Sequence, residues 1–397
     1  MRILLLTFYY PPDLSAGAFR TGALVQALQQ LGVADLQVNV VTTLPNRYKS
    51  FTQEAAELAE EAGVTARRIA LPPHKSGMRD QAKAFIHFAR GALQETRGQQ
   101  WDVVIATSSR LMTAALGARI ARRAGAPLYL DIRDLFTDTI GDVLGKGILP
   151  STLLPVLRAV EARTFRSAAK TNIVSPGFEA HLKRVAPNQV CSVLPNGIDD
   201  PFLEASYAKP DAPQIPTLLY AGNIGEGQGL ERIVPEAARM LAGRARFRIV
   251  GDGGRQGRLR SALDGIPASE VELLPPVQRD RLIAEYGDAD ILFLHLNDYA
   301  AFEKVLPSKI FEYAATGKPI LAGVKGYAAQ FLREHVVGAE VFNPTDAAQM
   351  VGSFERLMAG PRSYDRSAFI AKFSRRAIMR EFAEDVVRVA AGRGRTA

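Results

Sequence analysis

The chain has 397 residues, of which 47% are hydrophobic and 23% charged, and its formal net charge is +8. This length exceeds what one hydrophobic core usually serves, so we expect two domains. A single cysteine, Cys191, excludes an intramolecular disulfide and a cysteine metal cluster. No apolar run approaches the ~18 residues of a membrane-spanning helix.

The first predicted element is an apolar strand at residues 3–8. The run is short, Pro11 and Pro12 stop it, and no small-residue cleavage site follows, so we expect a buried strand rather than a signal peptide. Together with the single cysteine, this favours the cytoplasm as the compartment.

Short apolar runs alternate with amphipathic segments along the first half. Further strands are predicted at residues 37–43, 103–107, 127–132 and 172–175. Helices are predicted from Gly22 to the stop at Gly32, and at residues 80–94 and 111–124. Apolar strands separated by helices indicate a parallel sheet that is covered on both faces.

A second series of strands follows a turn-rich segment at residues 195–216. The predicted strands are residues 217–221, 247–250, 271–274, 291–294, 319–322 and 340–342. We therefore predict an α/β chain with domains at residues 1–198 and 199–373 and a closing segment at residues 374–397. Open α/β sheets bind ligands outside the carboxyl ends of their strands, which favours a cleft between two such edges.

The excess positive charge lies entirely in the first half. Residues 1–198 hold 23 basic and 15 acidic residues, whereas residues 199–397 hold 26 of each. The imbalance favours an anionic partner, although solubility alone is the alternative explanation. Aromatic residues do not alternate with the basic ones, which argues against nucleic acid.

Two segments of the first half carry candidate ligand contacts. In the loop at residues 11–20, Gly17 allows close backbone approach and Arg20 offers a charge-assisted contact to an anion. In the run at residues 131–134, Arg133 and Asp134 are suited to hold a sugar or an acceptor. An ordinary loop and a self-neutralising surface cluster are the respective alternatives.

Two glycine-rich turns of the second half follow predicted strands. The turn at residues 222–229 contains Asn223 and Gly225, and the turn at residues 250–254 contains Gly251 and Gly253. Glycine suits positions where another group touches the backbone, so both turns are candidates for contact with a diphosphate. The alternatives are an ordinary turn and, in the second turn, a helix cap.

The strongest motif lies at residues 306–320. Ser308 or Pro307 is suited to begin a helix that Gly317 ends, and Lys309 and Glu312 then share one helix face. A lysine is suited to phosphate and a carboxylate to ribose hydroxyls. An exposed ion pair is the alternative. The five histidines are dispersed, and neither a P-loop nor metal-ligand spacing occurs in the sequence.

The order of these motifs resembles glycosyltransferase family 4 over nearly the whole chain. The nearest subgroup is the bacterial surface-polysaccharide branch that includes N-acetylfucosamine-type transferases. The resemblance implies a GT-B fold, in which two Rossmann-like doubly wound domains face each other across a cleft, and a retaining transfer. It also implies that the closing helix crosses back to the N-terminal domain.

The resemblance further implies site roles. Glu312 is expected to hold the donor ribose, and Lys309 and the backbone around Gly225 to meet the diphosphate, which Gly17 approaches from the other domain. Val277, in the loop at residues 274–277, is expected to contact the base. The remaining donor-site candidates are Asn223, Gly251, Gly253 and Ser308.

Three departures from the family pattern bear on the chemistry. Asn223 and Gln228 stand where the family often has arginine and lysine, so Lys309 and Arg20 are expected to supply more of the phosphate-binding charge. Glu303 is the acid nearest in sequence to the position of the first member of the family's acidic pair. Glu303 and the phosphate-binding Lys309 are therefore the candidate catalytic residues. Arg133 replaces a frequent histidine and cannot act as a base.

These observations predict transfer from a UDP-linked N-acetylated sugar to a lipid-diphosphate-linked glycan, without metal or cofactor. An anionic inner membrane face is the expected partner surface, reached by a basic and apolar stretch. Its residues are Lys75, Arg79, Lys83, Phe85, Ile86, Phe88 and Arg90. A non-catalytic acceptor-binding partner and a nucleotide-sugar epimerase are the alternative functions.

Overall fold

The computed structural model describes residues 1–13, 15–45, 55–72, 78–108, 110–144, 148–207 and 215–392. The chain forms two compact units. One contains Met1–Asn196 together with Arg376–Ala397, and the other contains Gly197–Arg375. The chain passes from one unit to the other at 196/197 and back at 375/376, and each position lies two residues from the predicted domain limits at 198/199 and 373/374.

The first unit contains an eight-stranded sheet with the order β3-β4-β2-β1-β5-β6-β7-β8. Its strands are β1 Arg2–Leu6, β2 Gln37–Thr43, β3 Leu58–Glu61, β4 Val64–Ile69, β5 Val103–Thr107, β6 Leu128–Ile132, β7 Lys170–Ile173 and β8 Cys191–Val193. Its described α-helices are α1 Ala16–Gln30, α2 Met78–Glu95, α3 Leu111–Ala124, α4 Phe136–Leu144, α5 Ile148–Arg166 and α6 Glu179–Val185. All neighbouring strands are parallel except the antiparallel pair β3 and β4.

The second unit contains a fully parallel six-stranded sheet with the order β11-β10-β9-β12-β13-β14. Its strands are β9 Thr217–Ala221, β10 Arg246–Val250, β11 Val271–Leu274, β12 Ile291–His295, β13 Ile320–Gly323 and β14 Ala339–Phe342. Its described α-helices are α7 Asp200–Glu204, α8 Leu230–Met240, α9 Gln256–Ala262, α10 Arg279–Asp288, α11 Lys309–Ala315, α12 Gly326–His335, α13 Ala347–Ala359 and α14 Ser367–Lys372.

Every strand predicted from an apolar run is present, with ends within two residues of the prediction. The central strands β1, β5, β9 and β12 are buried along almost their whole length. A strand covered by helices on both faces has no solvent side, so its sequence reads as a continuous apolar run. The predicted parallel α/β architecture is therefore confirmed in both units.

Three elements differ from the predictions. The hairpin of β3 and β4 has exposed polar residues, and it turns at Ala62 and Gly63, which both have positive φ. Helix α1 begins six residues before Gly22, because Ser15 caps it by accepting a hydrogen bond from the Ala18 amide. The short strand β8 has no apolar run that could reveal it.

A last helix, α15 (Arg375–Gly392), packs on the sheet of the first unit. The Tyr129 hydroxyl donates to Asp385 Oδ2 over 2.7 Å, and Lys170 and Ser192 also bind this carboxylate. The ring of Phe382 lies 5.2 Å from that of Tyr129. No helix in the described ranges, α15 included, is long and apolar enough to cross a bilayer.

Candidate active site

Each unit places its candidate residues at the carboxyl edge of its parallel sheet, where strands end and loops lead into helices. In the first unit these loops follow β1, β5 and β6, and in the second they follow β9, β10, β11 and β12. Parallel sheets bring consecutive loops to the same edge, so residues far apart in sequence become neighbours there.

In the first unit, Arg133 lies directly over Gly17. A Cβ atom at Gly17, in the first turn of α1, would overlap the guanidinium of Arg133. The Arg133 amide donates to Ser108 Oγ over 3.0 Å, and the next residue, Asp134, is exposed. The structure therefore brings Gly17 and Arg133 into contact, with Asp134 in the same loop.

The prediction that Arg20 contacts a ligand is wrong. Its side chain is fully buried and donates to both carboxylate oxygens of Asp131, over 2.9 and 3.0 Å. It also donates to the backbone carbonyls of Leu194 and Pro195, over 2.9 and 2.8 Å. A buried guanidinium charge is stable only when an opposite charge and hydrogen-bond acceptors replace its lost hydration. The side chain of Arg20 therefore links α1 to β6 and to the segment after β8.

In the second unit, the two glycine-rich loops pack against each other. A Cβ atom at Gly251 would overlap the Gly222 backbone, and one at Gly253 would overlap the Ile224 backbone. The Ile224 amide donates to the Asp252 carbonyl over 2.9 Å. This packing alone requires the absence of side chains at 251 and 253. Their contact with a donor stays a prediction.

The loop at residues 222–229 is held by its own side chains. Gln228 Oε1 accepts from Asn223 Nδ2 over 2.8 Å and from the Gly225 amide over 3.3 Å. These bonds place Asn223, Gly225 and Gln228 together at the turn, and they orient the side chains of the two polar residues that replace the expected cations.

Lys309 and Glu312 lie beside this loop. Lys309 begins α11 and follows Ser308, whose side chain makes no capping hydrogen bond. Lys309 Nζ lies 3.7 Å from Glu312 Oε2, and the two side chains are 22% and 12% exposed. Lys309 Cε lies 2.5 Å from the position of a Cβ atom at Gly222, which has φ of +151°. Glycine at 222 therefore allows the lysine stem to cross the loop.

Two predicted residues have other surroundings. Glu303 is exposed in a 3-10 helix at Ala300–Lys304, and its backbone lies so close to Gly326 that a Cβ atom there would overlap it. Val277 is half-buried in the loop after β11. None of the contacts that the structure describes joins Glu303 or Val277 to Lys309 or Glu312.

Sequence reasoning missed three residues that clamp the loop at 222–229. His295 Nδ1 donates to the Gln228 carbonyl over 2.6 Å, and its Nε2 accepts from the Thr345 amide over 3.0 Å. Asn297 donates to the carbonyls of residues 226 and 227 over 3.0 and 2.8 Å, and Tyr299 donates to the Glu226 carboxylate over 2.5 Å.

These three residues alternate from the last residue of the buried strand β12, which pairs with β9. That pairing places them next to the loop that follows β9. Polar residues at 295, 297 and 299 were the available signal, but sequence alone does not show which strands are neighbours. Burial lowers the pKa of His295 to about 4, against the opposing effect of the hydrogen bond to the Gln228 carbonyl, so the ring is neutral.

The arrangement offers a cation, a carboxylate acceptor and a glycine loop at one edge of the second sheet. Such groups suit a nucleotide diphosphate, because the ammonium binds phosphate oxygens and the carboxylate accepts from hydroxyls. In the described part of the chain, no group of three or more histidine, cysteine or acidic side chains is arranged to hold a metal.

Comparison with protein families places the chain in one class. A glycosyl transferase 4-like domain matches residues 16–197, and a glycosyl transferases group 1 domain matches residues 215–360. Together the two matches take in more than three-quarters of the chain. The chain therefore belongs to the glycosyltransferase 4 group and is a glycosyltransferase.

Individual relatives agree with this assignment. The chain is 26% identical over 360 residues to WcaI of Escherichia coli, a glycosyl transferase assigned by name to colanic acid biosynthesis. The match covers 82% of this chain and 84% of WcaI.

Two solved structures share the fold. Sucrose-phosphate synthase of Thermosynechococcus elongatus has a TM-score of 0.69 at 15% identity, covering 100% of this chain and 98% of that one. HepE of Anabaena, in complex with UDP-glucose, has a TM-score of 0.65 at 16% identity, covering 98% and 100%. The predicted GT-B fold with two Rossmann-like units is thus confirmed.

Proposed function

We propose that this glycosyltransferase moves an N-acetylated sugar from UDP to a lipid-diphosphate-linked precursor of a surface polysaccharide, with retention at the sugar. The proposal rests on the placement of Lys309, whose side chain crosses Gly222 and whose ammonium lies 3.7 Å from the Glu312 carboxylate. A role in surface-polysaccharide synthesis is supported by the similarity to WcaI, whose name assigns it to colanic acid biosynthesis. UDP as the nucleotide is supported by the HepE complex with UDP-glucose.

In this proposal Lys309 neutralises the charge that develops as UDP leaves, and Glu312 accepts hydrogen bonds from the ribose. Stabilising the leaving group by a fixed cation is a large part of catalysis in such reactions. The acceptor hydroxyl attacks the anomeric carbon, the bond to UDP breaks, and the proton passes to the departing diphosphate. This route uses no metal and no protein base, which accommodates arginine at position 133.

The first unit is proposed to bind the acceptor, near Arg133 and Asp134. Its α2 is proposed to touch an anionic membrane, because Lys83, Ile86 and Arg90 are exposed on it, Ile86 to 49%. Cationic side chains around an apolar one suit a charged lipid surface. Lys75 and the side chain of Arg79 lie outside the described residues.

Calorimetric titration with UDP, GDP and ADP in the presence of a chelator tests the donor site. We expect UDP to bind selectively, and Lys309→Ala and Glu312→Ala each to weaken binding about tenfold or more, because each removes a charge-assisted contact. Lys325→Ala and Glu355→Ala are matched controls, since both residues form ion pairs elsewhere in the second unit.

The alternatives give different results. If no nucleotide binds the wild type, the acceptor-binding partner becomes the better hypothesis. If UDP is released from UDP-sugar without any acceptor, an epimerase-type reaction is favoured. A third readout concerns Glu303: Glu303→Gln lowers turnover with unchanged UDP affinity if this acid serves the reaction rather than binding.

A further inference from the structure

A buried tyrosine holds the Glu312 carboxylate. Tyr286, near the end of α10, is fully buried, and its hydroxyl donates to Glu312 Oε2 over 2.9 Å. The resemblance to known enzymes did not single out this residue, and its spacing of 26 residues from Glu312 gives no local signal in the sequence.

Tyr286 is rigidly placed. Its ring stacks on Phe202 with centroids 5.7 Å apart, and it meets the ring of Tyr313 edge to face at 5.4 Å. Burial and the neighbouring Glu312 charge raise the pKa of Tyr286 well above its usual value of 10. The hydroxyl therefore remains a donor at any pH at which the protein works.

The hydrogen-bond donor and the ion-pair partner that the structure describes for this carboxylate act on the same oxygen. Lys309 Nζ, at 3.7 Å, and the Tyr286 hydroxyl both approach Oε2. Among the residues that the structure describes, no group donates to Oε1. A carboxylate with one oxygen held by a rigid donor has its plane and its second oxygen defined as well, so Oε1 is presented as an acceptor.

The surroundings make this hydrogen bond important. Glu312 shares its neighbourhood with Tyr207, whose pKa burial and the Glu312 charge raise to about 12. Burial and the same charge also raise the pKa of Asp199, against the opposing effect of Arg375 and Arg279. Tyr286 thus supplies a neutral donor to a carboxylate that has other acidic groups nearby.

We propose that Tyr286 is a positioning residue, which holds Oε2 so that Oε1 of Glu312 accepts one ribose hydroxyl of the donor in a single geometry. This inference rests on the donor site of the proposed function. It makes Tyr286 a determinant of selectivity between ribonucleotides and deoxyribonucleotides, although Tyr286 itself does not touch the ligand.

The test compares UDP with 2′-deoxy-UDP and 3′-deoxy-UDP by calorimetry. In the wild type we expect at least one deoxy analogue to bind about tenfold or more weakly than UDP, because a site built to accept a hydroxyl proton rejects an analogue without it. In Tyr286→Phe we expect UDP affinity to fall about tenfold. We also expect the analogue ratio, which is the affinity for UDP divided by the affinity for the weaker deoxy analogue, to approach one.

Tyr313→Phe is the matched control. Tyr313 is equally buried, belongs to the same ring cluster, and donates its hydroxyl to the Phe293 carbonyl over 3.3 Å rather than to Glu312. This variant loses a buried hydroxyl from the same cluster, yet we expect it to keep the wild-type analogue ratio. A general loosening of the cluster would instead reduce the ratio in both variants and overturn the inference.

The outcomes separate the two proposals. If Glu312→Ala weakens UDP binding while Tyr286→Phe keeps the wild-type ratio, the positioning role is wrong and the donor site stands. If Glu312→Ala leaves UDP binding unchanged, the donor site is misassigned, and the role of Tyr286 is lost with it.

Discussion

The two units treat cationic side chains at their carboxyl edges in opposite ways. In the first unit Arg20 is fully buried and its guanidinium donates four hydrogen bonds, while its partner Asp131 also accepts one from Asn172. In the second unit Lys309 is 22% exposed, and its described charge partner lies at 3.7 Å. A cation near a strand end is therefore a ligand-binding candidate only when buried partners do not already neutralise its charge.

A second contrast concerns the buried histidines. His295 in the second unit is neutral between a carbonyl and an amide, and burial lowers its pKa to about 4. In the first unit, burial alone would lower the pKa of His181, but hydrogen bonds with Asp138 and Glu161 outweigh it and raise the pKa to about 9. Opposite surroundings therefore give the two units opposite responses to pH.

The largest expected effect comes from Arg20→Met. This change leaves Asp131 buried without its main partner, and breaking such a pair costs about 3–5 kcal/mol. Urea unfolding, followed by hydrogen exchange in β6, measures the loss. Lys309→Met, the matched change at the partly exposed cation, is expected to cost less than about 1 kcal/mol. Equal losses would contradict the contrast between the two cations.

The next effect is on the second unit at acid pH. Its His295 has a folded pKa below the unfolded value, so the unfolded chain binds more protons between pH 6.5 and 4. Stability is present above pH 6.5, and about 2–3 kcal/mol is lost as the pH falls to 4. Hydrogen exchange of β12 at several pH values checks this. His295→Gln should remove the dependence, whereas His87→Gln, at an exposed histidine, should retain it.

The first unit should respond in the opposite direction. His181 has a folded pKa above the unfolded value, so its contribution is complete below pH 6.5 and is lost as the pH rises through about 9. Arg184 lies 2.9 Å from His181 Nδ1 and opposes the charge, so we expect a smaller loss, about 1–2 kcal/mol. Exchange of α5 amides between pH 6.5 and 9 measures it. A flat profile that His181→Gln does not change would refute the prediction.

The smallest expected effect on stability concerns the two glycines that lie beneath cations. Gly222→Ala strains a positive φ and displaces Lys309, so we expect about 1 kcal/mol of lost stability and about tenfold weaker UDP binding. Gly17→Ala displaces the flexible end of Arg133, and should lower acceptor turnover. Gly254→Ala, which points into open space, is the control for both. Unchanged acceptor turnover in Gly17→Ala would contradict the role given to Arg133.

Much of the fold was predictable because its signals are local. Buried parallel strands read as apolar runs, and the three-residue spacing of Lys309 and Glu312 places them on one helix face. The hairpin of β3 and β4 escaped prediction, because its stability comes from edge pairing with β2 and not from an apolar pattern.

The parallel α/β architecture and the segments that end at each sheet edge can be predicted from the sequence, because both follow from periodicity within a few residues. The availability of each charge depends instead on contacts between residues that are far apart in the chain. Arg20 meets Asp131 across 111 residues, His295 meets Gln228 across 67, and Tyr286 meets Glu312 across 26. Such pairings depend on strand order and burial, and the free energy of a charge depends on the partners that those long-range contacts supply.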